Sequence, residues 1–122
     1  FVQGQSIATW LDVEGAQFEV LKSFGLVLSS VLLIYIEIEV NNVWESKYTK
    51  NDIYQFLKEN GYIEIMRDGL ASGQYNTVFA HHTIANNLVV RKIVSSYTDK
   101  IICLEKVIFN YLWVHFPVKG SE

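Results

Sequence analysis

The apolar and polar positions change period several times along the chain. Ile7 to Leu11 is a short, nearly unbroken apolar run, the pattern of a strand buried on both faces of a parallel sheet. An acidic turn, Asp12-Val13-Glu14-Gly15, follows it. From Ala16 the spacing becomes helical. Ala16, Val20, Leu21 and Phe24 fall on one side, Glu14 and Glu19 lie toward the positive end of the dipole, Lys22 lies in the last turn, and Gly25 supplies a stop. Val31 to Val40 is the clearest strand, rich in β-branched and aromatic residues. Its first half is uniformly apolar. Its second half alternates, with Glu37 and Glu39 on one face and Ile36, Ile38 and Val40 on the other.

Asn41 to Tyr48 reads as a loop, and Thr49-Lys50-Asn51-Asp52 as a capping box with Asp in place of the usual Glu or Gln. The helix it opens turns Ile53, Phe56 and Leu57 inward and ends at Asn60-Gly61. Tyr62 to Met66 and Tyr75 to Ala80 read as an antiparallel strand pair joined by the glycine-bearing turn Arg67 to Gly73, and they form the edge of a mixed sheet. Beyond them Leu88, Val90, Ile93, Val94, Tyr97 and Ile101 repeat with helical spacing. A fresh cap at Thr98-Asp99 opens a second stripe of Ile101, Leu104, Ile108, Tyr111, Leu112 and His115, ended by Pro117. Strands alternating with helices predict an α/β layer structure with right-handed crossovers, followed by a helical tail.

Composition narrows the function classes. The 122 residues are half apolar, which excludes a disordered chain, and the net charge of −3 gives no general affinity for nucleic acid or anionic lipid. One cysteine, Cys103, excludes an internal disulfide framework and reads as a buried thiol. No apolar run reaches the length of about 20 residues that a spanning helix needs. The chain opens on Phe1 and its single methionine is Met66, so it reads as a piece of a longer protein, its compartment open and cytoplasmic only by default.

The run Asp12-Val13-Glu14-Gly15-Ala16-Gln17-Phe18-Glu19-Val20-Leu21-Lys22, with the strand ending in Ile36-Glu37-Ile38-Glu39, the helix Ile53 to Leu57 and the step Gly61-Tyr62, resembles the FkbM-type methyltransferases. Two departures stand out: Gln17 replaces the usual Glu, and Trp10 occupies a position where many members carry Lys. The resemblance covers Ile7 to Ala80. It implies the C-terminal half of a Rossmann-like class I methyltransferase fold, a mixed sheet with helices on both faces, over residues 1–82. Residues 83–122 would then be an added helical tail. It also implies S-adenosylmethionine as cofactor, bound mainly by a glycine-rich half upstream of this chain, and the hydroxyl of a sugar or small metabolite as acceptor. The isolated chain is accordingly expected to be inactive.

Ligands of open α/β sheets bind beyond the carboxyl ends of the strands. On that rule Asp12, Glu37 and Glu39 are the candidate catalytic residues, Asp12 facing the cofactor methyl and the acceptor, and Glu39 or Glu37 orienting the acceptor; a carboxylate there can serve as base or fix the hydroxyl. Asp12 and Glu14 are the candidate cofactor contacts. Each has a plainer role available. Asp12 can cap the following helix, Glu14 can sit in its first turn, and the two strand glutamates can form a solvated rim. Paired carboxylates can also hold Mg²⁺, but no third ligand follows by spacing, so no metal is expected. His81 and His82, adjacent on a strand, should point to opposite faces. Trp10, Trp44 and Trp113 read as packing residues, and Arg91-Lys92 as a solvated helix face. The helices at 83–116 could pack on the core, form a homodimer or hold a partner, or lie in a membrane interface, which their weakly basic polar face disfavours. A non-catalytic α/β interaction module is the rival reading.

Overall fold

The computed structural model describes residues 6–40, 47–69 and 73–96. In chain order these form β1 (Ile7–Leu11), α1 (Gln17–Ser23), a 3-10 turn (Gly25–Ser30), β2 (Val31–Glu39), α2 (Lys50–Glu59), β3 (Tyr62–Arg67) and β4 (Gln74–His81). Residues 88–96 are helical. The expected readings of Trp44, Cys103, Trp113 and the second tail stripe lie outside the described residues.

The strands make one mixed sheet in the order β1-β2-β4-β3. β1 runs parallel to β2, and β4 runs antiparallel to both β2 and β3. The α/β reading therefore stands, and the last two strands do pair antiparallel. As expected, that pair forms one edge of the sheet, with β3 outermost and β4 between it and β2. β3 is thus parallel to β2, as the helical crossover through α2 requires.

α1 and α2 touch each other, and both contribute to one core against the sheet. Ile34, Ile36 and Ile38 of β2 are fully buried there with Leu21 of α1 and Leu57 of α2. Each such side chain stabilises the fold by about 1.5–3 kcal/mol relative to exposure. The alternation expected of β2 is present: Glu37 and Glu39 are half-buried on the opposite face.

β1 departs from expectation. Its exposure alternates instead of vanishing on both faces, and Trp10 is 56% exposed, its ring 4.7 Å from that of Tyr35 on β2. The short run is ambiguous because its single polar residue, Thr9, shares the inward face with Leu11. α1 also begins later than the periodicity suggests. Ala16 is its N-cap, without a side-chain bond, and Gly25 at φ +52° leads directly into the 3-10 turn.

α2 opens with the predicted capping box: the Thr49 amide donates to Asp52 Oδ2 at 2.7 Å. It closes at Gly61, whose φ of +83° ends the helix as only glycine does without strain. A bulge in β3 has a larger effect. The register with β4 shifts between Glu64 and Met66, leaving Ile65 extra. In a regular strand Glu64 and Arg67 would face opposite sides, but the extra residue puts both on the α2 side. There Arg67 Nη2 lies 2.9 Å from Glu64 Oε1. Tyr54 of α2 donates to the same carboxylate and accepts from Arg67 at 2.9 Å, with Tyr75 Oη 2.8 Å away. This network ties α2 to β3 and β4.

At the other end of the sheet the Tyr62 hydroxyl lies 2.7 Å from the carbonyl oxygens of Leu28 and Val31, and burial pushes its pKa up to about 12. The histidine pair also departs from expectation. β4 ends at His81, so His82 is free of strand alternation, and the two rings sit together, 4.4 Å apart between centroids. Burial and the neighbouring His82 hold the His81 pKa below its usual value.

Candidate functional site

The carboxyl ends of the parallel strands β1 and β2 point the same way, and the chain leaves each toward a helix. After β1 it makes a tight turn in which the Ala16 amide donates to the Val13 carbonyl at 3.1 Å. Glu14 and Gly15 both take positive φ, +40° and +89°. For glycine that costs nothing, but for a residue with a Cβ it is disfavoured by about 1–2 kcal/mol. Asp12 and Glu14 are both exposed. Neither plays the plain helical role open to it, because α1 starts at Gln17 and no side chain caps it.

Gln17 is only 4% exposed, and its Nε2 donates to the main-chain carbonyl of Glu37 at 3.1 Å. That bond fastens the first turn of α1 to the last part of β2, across 20 residues of sequence. The residue marked as a departure from the family pattern is therefore a strut between two elements. A carboxylate in its place has no hydrogen to give this carbonyl.

Beside the strut is a cavity of about 180 Å³, with Gly15, Gln17, Phe18, Glu39, Thr49 and Asn51 among its walls. Glu39 brings one carboxylate oxygen, Oε1, out of contact with solvent. The opening turn of α2 supplies the opposite wall. One side is closed by aromatic contacts. Phe18 and Tyr48 stack with ring centroids 4.2 Å apart, and Lys22 Nζ donates to Tyr48 Oη at 3.0 Å while lying over both rings.

Of the four carboxylates singled out by sequence, the structure brings Glu39 to this cavity. Asp12, Glu14 and Glu37 lie outside its lining, with Asp12 and Glu14 at the rim of the sheet on the neighbouring turn. Among the described residues no group of three or more His, Cys, Asp or Glu side chains converges. Sequence reasoning missed Lys22, Phe18 and Tyr48 as a unit. The only advance signal was a lysine one helical turn after an aromatic residue.

The charged groups of α2 and β3 are settled by their neighbours. Hydrogen bonds from Thr49 hold the Asp52 carboxyl below the usual range. Burial acts to raise Glu64, but the hydrogen bonds from Tyr54, Thr77 and Arg67 outweigh it and hold Glu64 below the ordinary carboxylate value. Burial and the bond to Glu64 push the Tyr54 phenol far up. This cluster holds α2 in place and keeps its proton on Tyr54.

Residues 9–64 match the family described as the methyltransferase FkbM domain. The match starts inside β1 and ends inside β3, so it takes in the acidic turn, the strut and the cavity walls. No curated protein and no solved structure matches the chain.

Proposed function

We propose that residues 9–64, which carry the FkbM-type methyltransferase match, form the acceptor side of an S-adenosylmethionine-dependent O-methyltransferase acting on a hydroxyl of a sugar or small metabolite. One observation carries this reading. Glu14 is held in a left-handed conformation at the carboxyl end of β1, exposed and outside α1. Strain of this kind persists where a site needs a particular turn. The mixed sheet with parallel β1 and β2 is compatible with a Rossmann-like class I methyltransferase fold, and ligands of such sheets lie beyond this end.

The side chains present suit the cofactor's cationic and hydroxyl-bearing part, because Asp12 and Glu14 offer only acceptor oxygens there. When bound, S-adenosylmethionine supplies a methyl carbon already activated by a sulfonium leaving group. The protein then has two tasks. It must align the acceptor oxygen with that carbon, and it must take up the hydroxyl proton as the new carbon–oxygen bond forms. Glu39, at the end of β2 where the strand reaches the cavity's lining, orients the acceptor, with Glu37 two residues before it on the same strand face. Asp12 receives the proton.

The test is Asp12→Asn in the full-length protein. Turnover should fall by about 10²–10⁴-fold, the usual contribution of a positioned base, with little change in melting temperature. Near-normal turnover refutes the assignment. The rival reading, a non-catalytic interaction module, is favoured by the exposed apolar side chains of Leu88, Val89 and Ile93 on the 88–96 helix. Calorimetric titration of the full-length protein with S-adenosylmethionine separates the two: heat of binding supports the enzyme, and none at high ligand concentration supports the module.

A further inference from the structure

No further inference is drawn: the strongest candidate, the apolar patch that Leu88, Val89 and Ile93 expose on the 88–96 helix, continues no described interface, and nothing in the structure shows what covers it.

Discussion

Placing glutamate at position 17, the residue that the resemblance leads one to expect there, should weaken this protein rather than improve it. Gln17 is 4% exposed and donates 3.1 Å to the Glu37 carbonyl. In Gln17→Glu the ionised side chain has no hydrogen to donate, so a neutral hydrogen bond worth about 1 kcal/mol is lost. Two acceptors then face each other out of water, which adds about 1–3 kcal/mol. A total of about 2–4 kcal/mol would be a large part of the roughly 5–15 kcal/mol that holds a domain folded. With a urea slope of about 1–3 kcal/mol per molar, the unfolding midpoint should drop by at least ~0.7 M at neutral pH. The loss should also depend on pH. Burial raises the folded-state pKa of the new carboxyl above its unfolded value. Below the unfolded value the group is protonated in both states and can donate to Glu37, so the variant is least impaired in acid. Its stability then falls as pH rises through the folded pKa. Gln17→Leu, which loses the bond without adding a charge, should be impaired equally at both pH values. Urea melts followed by circular dichroism at about pH 4 and 7 test this. An equal penalty for Gln17→Glu at the two values, or no penalty at all, refutes the strut.

Other outcomes follow from the same geometry. Glu14→Gly should leave stability unchanged or raise it by up to about 1 kcal/mol, because glycine relieves the left-handed strain at some entropic cost, while S-adenosylmethionine binding by the full-length protein weakens. A clear loss of stability in thermal melts would show that Glu14 has a structural role. Gly61→Ala should destabilise by more than about 1 kcal/mol, since φ is +83° and a Cβ would lie 2.9 Å from His82 Cδ2. An unchanged melting temperature would count against the packing described around the histidine pair. Glu64 has a depressed folded pKa, so its contribution is present above the unfolded carboxylate value and is lost as pH falls through the folded one. Glu64→Gln should therefore flatten the acid limb of the stability–pH curve below about pH 4.5, and an acid limb identical to that of the parent protein would rule the network out as its source.

What could be read in advance, and what could not, divides along physical lines. β2, α2 and its capping box were legible because their signals are local: branched residues in alternation, and a hydroxyl three residues before a carboxylate. The acidic turn was legible through resemblance, and its position at a strand's carboxyl end followed. The exposure of Trp10 was not legible, because whether a five-residue apolar run is central or at an edge is decided by strands elsewhere in the chain. Which member of the edge pair lies outermost was hidden for the same reason. Gln17 was visible only as an odd residue, since its partner is a backbone carbonyl 20 positions away. The Glu64–Arg67 pair was unreadable because strand periodicity separates the two residues, and only the bulge at Ile65 brings them together.

The place of β4 also sets an order of assembly. β2 and β3 are not neighbours, since the strand that hydrogen-bonds to both is made after either. During synthesis β1, α1 and β2 can associate as soon as they emerge, because β2 completes a parallel pair with β1. β3 must wait with its hydrogen-bonding groups paired only to water until residues 74–81 emerge and enter between it and β2. The matched segment, which ends at residue 64, therefore stops short of the strand that closes its own sheet. A chain cut at that boundary would carry every candidate carboxylate and still present two open strand edges where β4 belongs.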